Sequence, residues 1–455
     1  MTKHNQKPQV NTRELVYDML LHILKEEMPS HLVLSDTLDR YSWLDKQERA
    51  FMTRLMRGTL QNILYLDQVL LQCADIRTKK LKMPVRVIVY MGAFQIMCMD
   101  SVPDSAAVNE SVKLARRHGF SSMSGFVNAV LRSVAAKKES IKTPDPGKDP
   151  AAYLAFCYSL PEWIGKRWLS RYSFQTCKEM AEYMQRPQQV TVRVRRPEET
   201  DEIIRSLADQ GVTSRKGEIF PWALHLKGLD SLPALKEFAQ GRITVQDEGA
   251  MLAAVCTGIR GGERIIDLCA APGGKSLHMA DLLGGSGSVS ARDISHAKTE
   301  RIDDNLQRAK AENVQTMVWD ACVRREEDVA SADIVMADLP CSGLGVLGRK
   351  ADIRYQASPE KIRSLAELQK QILTASREYV RPGGVLVYST CTLTDEENEE
   401  IRGWMLEDTR FEAESLDPFL PDPLKDSRTA QGQIQILPGR FGTDGFYIAR
   451  FRRVR

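Results

Sequence analysis

Ile265-Ile266-Asp267-Leu268-Cys269-Ala270-Ala271-Pro272-Gly273-Gly274-Lys275-Ser276 sets two β-branched residues and an aspartate ahead of a proline-glycine-glycine turn. An apolar strand, a glycine turn and a helix form the opening unit of an open parallel sheet, whose ligands bind beyond the carboxyl ends of the strands. The cadence continues downstream. Strands are predicted at 264–269, 288–291, 315–318, 333–338 and 385–389, helices start at 276 and span 296–311, 359–380 and 395–406, and 445–451 is a closing strand. This alternation makes 247–455 a doubly wound α/β domain.

The glycine turn is not a phosphate grip of either common kind. A Walker loop needs glycine five positions before Gly274, where Cys269 stands, and no Gly-x-Gly-x-x-Gly can be written here. What remains is a tight turn that lets a ligand approach the backbone, with Asp293 about 20 positions on, where such folds place a ribose-binding carboxylate. Asp320, after the third strand, is placed to meet a base. One aspartate alone is more often a helix cap; three at successive strand ends, Asp267 included, point to a nucleoside. Nucleoside binding without a phosphate grip fits S-adenosylmethionine.

Two cysteines follow later strands: Cys341 in Asp338-Leu339-Pro340-Cys341-Ser342-Gly343, and Cys391 in Ser389-Thr390-Cys391-Thr392. Cytosine is a poor nucleophile at carbon 5, and its methylation there needs a thiolate to add first at carbon 6. A cation such as Lys275 and nearby helix N-termini would lower a thiol pKa at this edge. Spacing alone does not choose between the two thiols. Most free cysteines are simply packed, and Cys73, Cys98, Cys157, Cys177, Cys256 and Cys322 are read that way. With nine cysteines and no Cys-x-x-Cys pair, neither a disulfide framework nor a structural zinc site is expected.

Residues 1–140 read as an all-helical domain, with Leu15, Met19, Leu20, Ile23 and Leu24 at helical spacing and later helices at 60–71, 85–98, 105–117 and 124–136. Residues 141–150 hold three prolines and form a linker. Residues 151–246 mix helical stretches with Val190-Thr191-Val192-Arg193-Val194-Arg195-Arg196 and read as a small α+β module. Its three arginines are expected to face solvent, either as a single-stranded RNA surface or as a charge-protected edge strand. Net charge is +6 over 1–140, +1 over 141–250 and −4 over 251–455, so the front of the chain is the better polyanion contact. Met1-Thr2-Lys3-His4-Asn5-Gln6-Lys7 leads into no signal-peptide core, and the longest apolar stretch, 87–99, is too short for a bilayer. A cytoplasmic protein is expected.

The runs around Cys269, Cys341 and Cys391 resemble the signature motifs of the Nol1/Nop2/Sun family of RNA cytosine-5 methyltransferases. The resemblance implies a Rossmann-like class I S-adenosylmethionine-dependent methyltransferase domain. It implies Cys391 as nucleophile, Cys341 as the thiol that assists product release, Asp338 as a residue that also holds the flipped cytosine, and Lys275 as its orienting partner. By the same carry-over Cys269, Ala270, Ala271, Pro272, Gly273, Gly274, Lys275, Asp293, Asp320 and Asp338 bind S-adenosylmethionine, and no metal is expected. Leu339 replaces the family's usual alanine and Ser276 its common threonine. Arg349, Asp352, Arg354, Gln369 and Asp444-Gly445-Phe446-Tyr447 look like family positions, and Val245-Gln246-Asp247-Glu248 resembles the start of the catalytic domain. The N-terminal helices, through Val102-Pro103-Asp104 and Gly125-Phe126-Val127-Asn128-Ala129-Val130-Leu131-Arg132, are similar to the RNA-binding NusB fold. Together these imply methylation of carbon 5 of one cytosine in 16S rRNA through a covalent adduct at carbon 6. The expected enzyme is a monomer acting on RNA that is free or in an early small-subunit particle, with no DNA or membrane partner. A transfer-RNA cytosine-5 methyltransferase and a non-catalytic RNA-binding or antitermination factor are the alternatives.

Overall fold

Val16, Met19, Leu20 and Ile23 fall on one face of helix Thr12–Lys25 and are buried there, as a 3.6-residue period requires. The computed structural model describes residues 10–455, so the expectation for 1–7 lies outside the described residues. Helices Ser30–Arg40, Lys46–Gln61, Ile63–Ala74, Met83–Cys98, Asp104–Arg117 and Ser124–Lys137 follow. Met83–Cys98 is apolar almost all round and is correspondingly buried on nearly every side. Pro84 sits in its first turn, where a missing N–H costs nothing. Asn62 divides helix Lys46–Gln61 from helix Ile63–Ala74, close to the start expected for the second at residue 60, its Nδ2 donating to the Gly58 carbonyl at 2.8 Å.

By compactness one unit extends to Arg186 and also takes Leu347–Gln356, while the other comprises Pro187–Val346 and Ala357–Arg455. Helices Pro150–Tyr158, Glu162–Leu169 and Phe174–Gln185, grouped with the following strands on composition, therefore sit in the helical unit. Ser159 shows why: its hydroxyl accepts from Leu64 N at 2.9 Å, satisfying a free N–H in the first turn of Ile63–Ala74. Leu347–Gln356 is held in the same unit by Tyr355, whose hydroxyl donates to the Leu60 carbonyl at 2.6 Å, and by a Ser30–Asp352 hydrogen bond.

The second unit contains two sheets. The smaller has strands β1 (Val190–Val194), β2 (Thr213–Lys216), β3 (Ala223–Lys227) and β4 (Ile243–Val245) in the order β2-β3-β1-β4, antiparallel throughout. Val192 and Val194 pack on Ile203 and Leu207 of helix Thr200–Asp209. The opposite face corrects the expectation for the arginines. β1 is an inner strand; Arg193 is 1% exposed, Arg195 is half-buried, and only Arg196 reaches solvent. Arg193 and Arg195 both reach Asp281 of helix Gly274–Leu282 at 2.7 Å, and Arg195 also donates to the Gly241 and Ala309 carbonyls. They clamp the small sheet to the larger domain, and neither the RNA-surface nor the edge-strand reading holds for them.

The larger sheet comprises β5 (Arg264–Asp267), β6 (Ser288–Asp293), β7 (Val314–Val318), β8 (Ala332–Asp338), β9 (Val380–Thr390), β10 (Phe411–Ala413), β11 (Gln433–Ile436) and β12 (Phe446–Arg453). Its order is β10-β12-β9-β8-β5-β6-β7, with β11 also paired to β12. The pairs joining β5 to β9 are parallel, and β12 lies antiparallel to β9. This is the Rossmann-like arrangement expected. Among the described residues no helix is long and apolar enough to cross a membrane.

Removing Asp281 leaves the buried Arg193 charge uncompensated, so Asp281→Ala is expected to cost about 3 kcal/mol in urea unfolding. Arg196→Ala, at an exposed site, is expected to change stability by less than about 0.5 kcal/mol.

Candidate active site

Parallel pairing places the ends of β5, β6, β8 and β9 along one edge of the sheet, and β5 runs into the glycine turn. Gly273 adopts φ +98°, a left-handed conformation that suits glycine, and its N–H closes the turn onto the Ala270 carbonyl at 2.7 Å. Ala270 N bonds the Arg292 carbonyl and Ala271 N bonds Asp293 Oδ2 at 3.0 Å, tying the turn to the end of β6.

Asp293 is buried, and its Oδ1 takes the Ile294 N–H and the Lys298 ammonium, each within 2.9 Å. Asp320 is exposed and accepts from Cys322 N at 2.9 Å. Beside them Ile294 is 60% and Val323 51% exposed, two apolar side chains left open at the same edge. Asp267 is fully buried; one oxygen accepts from Ser276 Oγ at 2.6 Å and Oδ1 has no hydrogen-bond partner. Burial raises its pKa to about 7, against the help of Ser276 and Lys275 and with the charges of Asp338 and Asp293 adding to the rise. Burial, then the Asp293, Asp267 and Asp338 charges, also pushes Cys269 upward, away from thiolate chemistry.

Lys275 Nζ lies 2.5 Å from Asp338 Oδ2, and Ser389 Oγ donates to Asp338 Oδ1 at 2.7 Å. Burial lowers the Lys275 pKa, but Asp338, Asp267 and Cys391 outweigh it and the ammonium is held above its usual value. The predicted thiols meet here: Cys341 Sγ and Cys391 Sγ are 3.3 Å apart and both half-buried. Each lies just beyond its strand, with Leu339 N bonded to the Ser389 carbonyl and Gly345 N bonded to the Cys391 carbonyl at 3.0 Å. A Cβ on Gly345 would stand 2.5 Å from the Gly445 oxygen and 2.7 Å from the Cys391 oxygen, so the Cys341 loop packs backbone to backbone against the Cys391 turn. Among the described residues no cysteine is in a disulfide.

Two residues at this edge escaped the sequence reading. The run Asp395-Glu396-Glu397-Asn398 reads as the solvated start of a helix, yet the helix begins at Glu399 and both Glu397 and Asn398 are fully buried. Asn398 accepts from Thr390 Oγ1 at 2.6 Å and donates to the Thr392 carbonyl at 3.1 Å, gripping both flanks of Cys391. Glu397 takes Ser342 N at 2.8 Å and Thr394 Oγ1 at 2.7 Å. Gln369 links the two loops, donating to the Pro340 carbonyl at 2.8 Å and to Glu397 at 3.2 Å. Arg349, Asp352 and Arg354 belong to the helical unit.

The chain resembles known proteins along almost its whole length. A family described as 16S rRNA methyltransferase RsmB/F matches residues 254–452, the NusB family matches 10–136, and an RsmF/B-like ferredoxin-like domain matches 160–230. A probable ribosomal RNA small subunit methyltransferase B of Bacillus subtilis is 33% identical over 448 residues, covering 97% of this chain and 99% of that protein. A protein of the same name from Synechocystis is 30% identical, covering 98% of this chain and 100% of its own. Among solved structures, PH0851 shares the fold at TM-score 0.82 and 23% identity, covering 98% of this chain and 100% of that one. A methyltransferase homolog protein from Pyrococcus horikoshii is 25% identical at TM-score 0.57, covering 68% of this chain and 100% of that one.

Two outcomes are expected. A raised carboxyl pKa gives stability that is full below the unfolded value of about 4 and is lost as pH rises through about 7. Asp267→Asn escapes that loss, so urea unfolding is expected to show it gaining on the parent between those limits, by at most about 4 kcal/mol, and levelling off above. Gly345→Ala is expected to displace the Cys341 loop and lower the melting temperature by several degrees, roughly the shift produced by 1–3 kcal/mol of overpacking.

Proposed function

The chain belongs to the ribosomal RNA small subunit methyltransferase B family, and from that membership we propose that it transfers a methyl group from S-adenosylmethionine to carbon 5 of a specific cytosine in 16S rRNA. The observation that carries this reading is the 3.3 Å approach of Cys341 and Cys391 beside the Lys275–Asp338 pair. Methylation of a ring nitrogen or a ribose oxygen has no use for a thiol, whereas carbon 5 chemistry needs one.

Cys391 is the nucleophile. Its thiolate bonds to carbon 6, the electrons of the C5–C6 double bond make carbon 5 nucleophilic, and carbon 5 takes the methyl group. Loss of the carbon 5 proton to a base leaves the C5–H bonding pair to re-form the C5–C6 double bond, the C6–Sγ bond breaks with its electrons on sulfur, and Cys391 leaves as thiolate. Cys341 assists this release. The Lys275 ammonium supports the Cys391 anion, and its pKa is in turn raised by Cys391 among its neighbours. Asp338 holds the cytosine, which must leave its stack to be reached, and Lys275 helps orient it.

S-adenosylmethionine supplies a methyl group on a sulfonium, electrophilic without metal or phosphate. The residues fit it. The turn Cys269 to Lys275 brings backbone close to the ligand, Asp293 and Asp320 offer carboxylates to ribose and base, and Asp338 completes the set. Exposed Ile294 and Val323 offer apolar surface to an aromatic ring, and the unpartnered Asp267 oxygen leaves an acceptor beneath the turn. The modules in this reading are an RNA-binding helical domain over 1–140, a linker over 141–150, an α+β module over 151–246 whose helical first part packs with the helical unit, and a catalytic domain over 247–455.

With radiolabelled S-adenosylmethionine and deproteinised 16S rRNA, Cys391→Ala is expected to reduce transfer to background. Cys341→Ala is expected to leave RNA bonded to protein as a band that survives denaturing electrophoresis. RNA carrying 5-fluorocytosine is expected to trap the parent enzyme at the Cys391 peptide. Normal turnover by both variants would remove the thiol assignment, and bisulfite mapping that finds the lost mark in transfer RNA alone would remove the ribosomal one.

A further inference from the structure

Two thiols 3.3 Å apart do not both ionise, because a second anion at that separation is strongly disfavoured. Their surroundings differ. Cys391 lies in the field of the Lys275 ammonium, which also pairs with Asp338. Cys341 is next in sequence to Ser342, whose N–H donates to Glu397 Oε1 at 2.8 Å and whose hydroxyl donates to Glu397 Oε2 at 2.5 Å. Thr394 Oγ1 at 2.7 Å and Gln369 Nε2 at 3.2 Å complete four donors around a carboxylate with no measurable exposure. Such a donor set suits the ionised form, which only accepts, and it stabilises the negative charge with hydrogen bonds instead of a cation, leaving that charge in place.

We propose that Glu397 is a positioning residue that fixes Cys341 against Cys391 and, by its buried negative charge, keeps the proton on Cys341, so that the pair ionises at Cys391. The proposal rests on the reading of Cys391 as nucleophile. Around Cys341, its side-chain hydrogen bond with Cys391, its burial, and the charges of Cys391 and Glu397 outweigh an opposing backbone hydrogen bond at Cys391 and hold its pKa well above the usual thiol value. Tyr388, packed beneath with its hydroxyl bonded to Gln369 and to the Glu397 carbonyl, is itself held far above its ordinary pKa and stays neutral. A protonated Cys341 donates its S–H to the Cys391 sulfur both before attack and as the C6–Sγ bond breaks. It therefore stabilises the departing thiolate while its own proton stays in place.

The test needs no RNA, so it stands apart from whether the methyl-transfer reading holds. In the full-length chain with Cys391→Ser, leaving Cys341 the single thiol of the pair, alkylation of Cys341 by iodoacetamide is followed against pH by peptide mass spectrometry. Glu397→Gln keeps size and removes charge; it is expected to raise the Cys341 rate near neutral pH about tenfold, one unit of pKa. Ser342→Ala removes a hydrogen bond and keeps the charge, and is expected to change the rate by less than about threefold. The same measurement with Cys391 intact and Cys341→Ser is expected to show Cys391 reacting at lower pH than Cys341 does alone. Equal effects of Glu397→Gln and Ser342→Ala, or none from Glu397→Gln, would overturn the proposal. If Glu397→Gln loses its cooperative melt, Glu397→Asp, which retains the charge on a shorter arm, replaces it. A rate within about threefold of the parent then supports the charge role, and a tenfold rise defeats it.

Discussion

Parallel pairing of β8 with β9, in the register that sets Asp338 opposite Ser389, is the constraint on which the site depends. It converts a separation of fifty residues into neighbouring strand ends, from which Cys341 and Cys391 project a few residues farther on. The register is not set by the loops that carry the thiols. Ile334, Met336, Val385 and Val387 pack into one core layer, and Val335, Ala337, Leu386 and Tyr388 into the layer on the opposite face. A slip of one residue would exchange the two sets. Two separate cores thus hold the distance between two sulfur atoms.

The large sheet was legible because strands buried on both faces read as unbroken apolar runs bounded by turns. The thiols were legible for the same reason, since each follows such a run directly. β10 and β11 were not. They are only three and four residues long, so that even the alternating Gln433-Ile434-Gln435-Ile436 is too short to be told from a loop, and β10 pairs with β12 from far along the chain. The β1 arginines were misplaced because alternating polarity predicts a wet face only where nothing covers it. The cover is helix Gly274–Leu282, and its Asp281, 86 residues beyond Arg195, gives no local signal. Glu397 and Asn398 were hidden by their own charge pattern, an acidic run that ordinarily opens an exposed helix.

Glu397 and Asn398 are the centre of one buried polar cluster. Ser342, Gln369, Thr394, Glu397 and Asn398 come from three separate segments, and their hydrogen bonds interlock, with Asn398 reaching Gln435 of a fourth. A buried network of this kind is costly unless every member is satisfied, and once satisfied it specifies one arrangement. The thiol loops are held by it through Ser342 and through the flanks of Cys391, while Gly345 and Gly445 hold them by close backbone contact.

The charge arrangement at the sheet edge is then a matter of placement more than of total. Lys275 stands in the first turn of helix Gly274–Leu282, the end where a cation is least welcome. Asp338 at 2.5 Å and the more distant Asp267 compensate, and the ammonium stays charged. Ammonium and helix N-terminus therefore concentrate positive potential on the Cys391 side, while Glu397 supplies negative potential on the Cys341 side. On the proposed reading, the field across the few ångströms between the sulfurs runs in one direction, and two chemically identical side chains take different roles through their neighbours alone.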